Sequence, residues 1–298
     1  MRTGIDLGGT KIEIIVLDKA GQVRFRKRTP TPQGDYGATL VSIRELIDEA
    51  ESELGCRTSV GIGTPGSLSR VTGRLKNSNS TCLNDRPLLD DLQSLLQRPI
   101  RMANDADCFA LSEATDGAAA GAANVFGVIL GTGVGGGIVV NGRLLAGPGG
   151  IAGEWGHNPL PWPTDDERPG PVCYCGKRGC IETFLSGPGL ARDHRERTGL
   201  TLDPAEVVVR AQAGDARCAL SLRTYEDRLA RGLAHVLNLL DPEAIVLGGG
   251  LSNCDDLYHN LPRLLEKYVF SDRVDTKVLP PRFGDSSGVR GAAWLWGR

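Results

Sequence analysis

Two Gly-rich turns lie far apart in the chain, each between apolar runs suited to strands. The first is Gly4-Ile5-Asp6-Leu7-Gly8-Gly9-Thr10-Lys11, which enters Ile12-Glu13-Ile14-Ile15-Val16; the second is Leu130-Gly131-Thr132-Gly133-Val134-Gly135-Gly136-Gly137, which enters Ile138-Val139-Val140. A strand, a Gly/Thr turn and a returning strand form a hairpin whose turn can bring backbone N–H groups against an anion. Glycine permits positive φ there and removes the Cβ that would keep a phosphate away. An ordinary hairpin needs one or two glycines, whereas the second turn has five from Gly131 to Gly137. The repeat predicts two related halves closing on one nucleotide, and hence phosphoryl transfer. Asp6 would lie near the phosphates and could position Mg²⁺ directly or through water. Thr10 and Thr132 could add hydroxyl donors.

Two better-known phosphate motifs fail on context. Gly4 and Gly9 have P-loop spacing, but Thr10-Lys11 follow in reversed order and lead into a β-rich run. Gly131, Gly133 and Gly136 match G-x-G-x-x-G, yet a strand follows where a dinucleotide fold requires a helix.

Asn104-Asp105 stands between an apolar strand and an Ala-rich helix. Position alone reads as a helix cap. Phosphoryl transfer to a hydroxyl also needs a carboxylate that orients the hydroxyl and accepts its proton, and Asp105 is the candidate. Asp107 would point to another helix face. Glu154, His157 and Glu182 add groups able to bind several hydroxyls. Cys173, Cys175 and Cys180 crowd one Gly-containing loop, and His157 supplies a fourth ligand for a closed, structural Cys₃His zinc site. Cys56, Cys82, Cys108, Cys218 and Cys254 are scattered and read as ordinary core or surface cysteines.

The elements that must position these groups follow the chain's periodicity. With 298 residues the chain has room for two domains. Its net charge of -2 provides no field for nucleic acid or anionic membrane. No apolar run is long enough to span a bilayer, and no signal peptide precedes the first motif, so a cytoplasmic location with reduced thiols is expected. Strands are predicted around both turns and at 22–26, 60–63, 100–103 and 244–247. Helices are predicted at 36–54, 88–96, 106–117, 204–212, 216–240, 257–268 and 289–296, with a loop-rich stretch from Gly147 to Gly189. The pattern predicts an α/β fold with a mixed sheet used twice. A boundary falls at 117/118, with the crevice between the domains as the place for nucleotide and substrate.

Together these residues resemble the ROK family (repressor, open reading frame, kinase), whose sugar kinases belong to the actin-like, hexokinase-type ATPase superfamily. The resemblance covers essentially the whole chain. It implies two actin-like, ribonuclease H-like domains, 1–117 and 118–287, with a C-terminal helix at about 288–298 packing back on the first. It implies ATP and Mg²⁺ held by Gly4, Asp6, Gly8, Gly9, Thr10 and Lys11 in the first motif. The second motif contributes Thr132, Gly133, Gly135 and Gly136, and Gly248-Gly249-Gly250 resembles the adenosine-side motif. Asp105 would be the general base. Asn79, Asn104, Glu154, His157 and Glu182 would bind the sugar, and His157, Cys173, Cys175 and Cys180 the zinc. The segments around Asn77–Thr81, Gly153–Trp162 and Phe283–Gly291 look most like bacterial fructokinases of the mannokinase type. The expected reaction is therefore D-fructose to D-fructose 6-phosphate, with N-acetylglucosamine, glucose or mannose as alternative substrates. The resemblance also implies a homodimer. A sugar-responsive regulator is the remoter alternative, disfavoured because the first motif begins at Gly4 and leaves no room for a helix-turn-helix.

Overall fold

The apolar run on either side of the first turn becomes β1 (Arg2–Leu7) and β2 (Lys11–Leu17), antiparallel, with Asp6 opposite Glu13. β3 (Val23–Pro30) continues the antiparallel ladder through Thr29 and Pro30, beyond the strand predicted at 22–26. Its Arg26 and Arg28 both donate to the buried Glu13 carboxylate, at 2.7 and 2.8 Å. α1 (Tyr36–Leu54) is started by Asp35, whose side chain accepts the Ala38 N–H, and stopped by Gly55 in the left-handed region at φ 63°. It buries Ile43, Leu46, Ile47 and Ala50 at helical spacing. β4 (Ser59–Thr64) and β7 (Ile100–Asn104) run parallel to β1, giving a mixed sheet of order β3-β2-β1-β4-β7. The short pair β5 (Ser67–Leu68) and β6 (Leu75–Lys76), then α2 (Leu88–Leu96), lie in the β4–β7 crossover; α3 (Asp105–Thr115) follows β7.

β8 (Asn124–Leu130) and β9 (Val134–Val140) flank the second turn, and Val139 and Val140 pair with β10 (Arg143–Leu144). The loop-rich stretch then contains α4 (Ile181–Leu185) and runs into α5 (Gly187–Thr198). α5 begins inside what the sequence presented as loop, because Gly187-Pro188-Gly189 are turn residues. Pro188 nonetheless sits in the first helical turn, where its missing N–H costs nothing, and Ser186 caps the helix by accepting the Gly189 N–H. α6 (Pro204–Gln212) and α7 (Ala216–Leu240) match their periodicity. β11 (Ala244–Gly248), α8 (Asp255–Leu265) and β12 (Lys277–Leu279) complete a β9-β8-β11-β12 order in which β8, β11 and β12 are parallel.

The computed structural model describes residues 1–78 and 80–297. Two compact units emerge: Met1–Ala120 with Gly137–Ala152 and Asp285–Arg298, and Gly121–Gly136 with Gly153–Gly284. The division therefore falls inside β9, and 137–152 group with the first unit although the sequence boundary put them in the second. α9 (Ser287–Trp294) packs within the first unit on β1, β4 and α3. It approaches so closely that a Cβ at Gly4 or Gly61 would strike the helix backbone at Val289 or Ala292, and one at Gly291 the backbone of Cys108. The buried Glu113 fixes its start by accepting the Ser287 hydroxyl at 2.6 Å. No helix among the described residues is long and apolar enough to cross a membrane.

Candidate active site

In the first unit, β1 ends at Asp6 and β7 hands over to α3 at Asn104-Asp105. Asn104 caps α3 as its position suggested: its Oδ1 accepts the Asp107 N–H at 2.6 Å. That cap leaves Asp105 as the first helical residue, solvent-accessible, with Oδ1 accepting the Ala106 N–H at 2.8 Å. Reduced hydration of its carboxyl raises the Asp105 pKa, and the hydrogen bonds from the α3 backbone oppose the shift. Asp6 is pushed up to about 6. Burial is the main cause, followed by the negative charges of Asp105 and Glu13, while Lys11 and Arg28 pull the other way. Asp107, unlike Asp105, lines a cavity of about 530 Å³ with Thr64, Ser67, Asn104 and Arg101. Asn79 lies outside the described residues.

The two Gly-rich turns are tight for steric reasons. Neither Gly8, Gly9 nor any glycine from 131 to 137 has a positive φ among the described residues, so conformational freedom does not explain them. Gly8 donates to Lys11 O at 3.0 Å, and a Cβ on it would approach that oxygen to 2.8 Å. Leu7, Gly8, Gly9 and Thr10 line a cavity of about 430 Å³ with Ser80 and Thr81. In the second turn, a Cβ on Gly133 would come within 2.7 Å of Glu182 Oε2, and one on Gly136 within 2.8 Å of Trp155. Two of the five glycines there, Gly136 and Gly137, are thus required by packing, against the Gly153 and Ala106 backbones, whereas at Gly133 only the Glu182 carboxylate would have to move. Gly4 serves α9 packing in the same way.

The second unit holds a cavity of its own. Leu130, Gly131 and Thr132 line a cavity of about 540 Å³ with Pro188, Pro204, Val208, Val209, Gly250 and Leu251, and Asp203, Gln212 and Asn253 add polar groups. Its size and its apolar walls with few polar groups suit a nucleoside. Gly248 ends β11, and Gly249 turns with φ +83° directly beneath the Leu130 backbone. Sequence reading found the Gly248–Gly250 turn but missed the α5 and α6 residues, whose only signal is an exposed apolar position, Val209, on an otherwise amphipathic helix.

The remaining groups sit on the Gly153–Leu185 segment. The buried Trp155 anchors it, giving its indole N–H to Gly135 O at 3.1 Å and packing edge-on against Phe126. The buried Glu167 ties it to α7, receiving Arg228 Nε at 2.7 Å and Arg231 at 2.7 and 2.8 Å. Burial alone would raise the Glu167 pKa, but the two arginines hold it down at about 2. Glu182, second residue of α4, accepts the Val134 N–H at 3.0 Å. Glu154 is exposed at the start of the turn that carries His157.

His157 Nδ1 lies 3.6 Å from Cys173 Sγ, and Cys175 Sγ lies 3.6 Å from Cys180 Sγ. All four candidate ligand atoms fall within 4.8 Å of one another. A tetrahedral ion with Zn–S near 2.3 Å and Zn–N near 2.0 Å would set such atoms about 3.5–3.8 Å apart. The donor set and spacing therefore fit zinc. The carboxyls of Asp6 and Asp105, near enough for the Asp105 charge to add to the effect of burial on Asp6, likewise offer the oxygen ligands that a hard divalent cation such as Mg²⁺ takes.

Strand hairpins joined to parallel strands and helical crossovers, with a Gly turn in each unit, define an α/β architecture of the actin-like, hexokinase type. The chain belongs to the ROK family, which it matches over residues 2–298. It is similar to a ROK hexokinase from Thermus thermophilus, with TM-score 0.88 and 32% identity over 99% of this chain and 97% of that one. It is also similar to a ROK family glucokinase from Streptomyces griseus solved in complex with glucose and AMPPNP, with TM-score 0.77 and 28% identity over 99% and 98%. Among curated proteins it is 41% identical to an N-acetyl-D-glucosamine kinase from Yersinia pseudotuberculosis, over 99% of this chain and 98% of the relative. A protein of the same name from Pasteurella multocida is 38% identical over 99% of both. These matches uphold the sugar-kinase reading and correct its finer part: full-length relatives near 40% identity are N-acetyl-D-glucosamine kinases, so the expectation of fructose is withdrawn. That expectation rested on three short segments, whereas the identity to the N-acetyl-D-glucosamine kinase extends over 99% of the chain.

Proposed function

We propose that this chain is an ATP-dependent N-acetyl-D-glucosamine kinase. The reading is carried by the 41% identity over 99% of the chain to a kinase of that name. It is supported by the carboxylate pair of the first unit and by the nucleoside-sized cavity and hydroxyl-binding loop of the second. Asp105 would accept the proton of the sugar's primary hydroxyl as that oxygen attacks the γ-phosphorus of ATP. Asn104, Glu154, His157 and Glu182 would orient the sugar. The Gly8–Lys11 and Gly131–Gly133 turns would face the phosphates, and the cavity beside Thr132 would take the nucleoside. Bound Mg²⁺, held by Asp6, would neutralise charge on the phosphates. Zinc on His157, Cys173, Cys175 and Cys180 would fill all four tetrahedral positions, leaving it a structural role.

The deciding experiment is kcat/KM with ATP across N-acetyl-D-glucosamine, N-acetyl-D-mannosamine, glucose and mannose, since specificity is the ratio of those values. N-acetyl-D-glucosamine should exceed the rest by at least about tenfold, the scale of one or two lost contacts. A higher value for glucose would overturn the assignment. The homodimer implied by the family is tested separately, by sedimentation of the purified protein.

A further inference from the structure

We propose that Tyr174 is a further residue of the sugar site, a phenol that occupies His157 Nε2 until a sugar hydroxyl replaces it. Tyr174 is the residue between the first two cysteines of the cluster, where spacing arguments assign no task. Its hydroxyl lies 3.0 Å from His157 Nε2. Its ring meets the imidazole edge-on, with centroids 5.2 Å apart and an interplanar angle of 88°. Yet the side chain is 79% exposed, unusual for a tyrosine making so directed a pair of contacts. Its hydroxyl thus meets a side chain assigned to the sugar.

The hydrogen-bonding capacity of imidazole makes this consequential. Nδ1 faces Cys173 Sγ, so Nε2 is the nitrogen left to meet a sugar, and it forms one hydrogen bond at a time. Phenol and sugar hydroxyl therefore exclude each other there. The exposure of Tyr174 keeps the exchange easy, because water replaces the lost partner when the ring swings out. While in place, the ring fixes the imidazole plane and spares Nε2 a disordered solvent partner. The inference rests on the proposed function in that His157 is taken to bind the sugar.

Tyr174→Phe tests it, since the ring contact survives and only the competing hydroxyl is lost. Sugar KM, and Kd from calorimetry, should fall about two- to tenfold, the range of one net hydrogen bond. The kcat should stay within about twofold, and zinc content should equal that of the wild type. An unchanged or raised Kd in a variant of normal metal content would overturn the proposal. Failure of the substrate reading would appear in the wild-type protein instead, as preference for another sugar. The Tyr174 comparison is then made with that sugar and keeps its meaning.

Discussion

The negative charge of Asp105, at the start of α3, raises the pKa of Asp6, at the end of β1. Strand and helix order thereby set two carboxylates against each other, an arrangement that favours a bound cation and a base.

Asp105→Asn should lower kcat by about 10²–10⁴, the usual contribution of a general base. Its thermal midpoint should not fall, because a repulsive charge is removed and the helix cap belongs to Asn104. A coupled ADP assay with parallel calorimetry checks both; near-normal turnover would remove Asp105 from the mechanism.

The raised pKa of Asp6 has a defined sign for stability. A carboxyl of ordinary pKa near 4 in the unfolded chain and about 6 in the fold binds more protons when folded. Stability therefore falls as pH rises from about 4 to 6, and the loss is complete above 6. Asp6→Asn should stabilise the ligand-free protein by the order of 1 kcal/mol at pH 7.5, after allowing for partial solvent access, and by less at pH 5. Urea unfolding at the two values measures it. An equal effect at both would show that charge is not the cause.

Gly133→Ala should break the Val134 N–H to Glu182 contact, because the new Cβ would lie 2.7 Å from Glu182 Oε2. Sugar KM should rise roughly three- to tenfold, as for one lost hydrogen bond to a charged group. Gly131→Ala is the control: its Cβ would meet nothing nearer than Ile129 at 3.9 Å, and it should leave sugar KM unchanged.

Metal analysis of protein purified without added metal should find about one zinc per chain. Cys180→Ser should lose the metal and lower the thermal midpoint, because Cys180 joins the His157 turn to the start of α4. Fully active protein without zinc would defeat the site.

Gly61→Ala should destabilise by more than about 3 kcal/mol, beyond ordinary overpacking, because the obstruction is the Ala292 backbone rather than a movable side chain. Denaturant titration against Gly73→Ala separates obstruction from backbone conformation, since nothing lies near a Cβ at Gly73 although its φ is positive.

The sequence by itself determined the elements whose signals are local. The period of Ile43, Leu46, Ile47 and Ala50 defines α1, Asn104 announces the start of α3, and the cysteine spacing marks the loop that clusters with His157. Such features depend on residues within a turn or two of each other, so the pattern is sufficient. It misled where turn residues open a helix, as at Gly187-Pro188-Gly189, and it did not show that the Gly153 backbone and Trp155 also require a glycine at 136. Only the tertiary structure decided which distant groups meet. Examples are Val134 with Glu182, Tyr174 with His157, α9 with β1 and β4, and the α6 valines with the Thr132 turn. Each pairing joins segments separated by loops or whole elements, and nothing in either partner's immediate neighbours records the other.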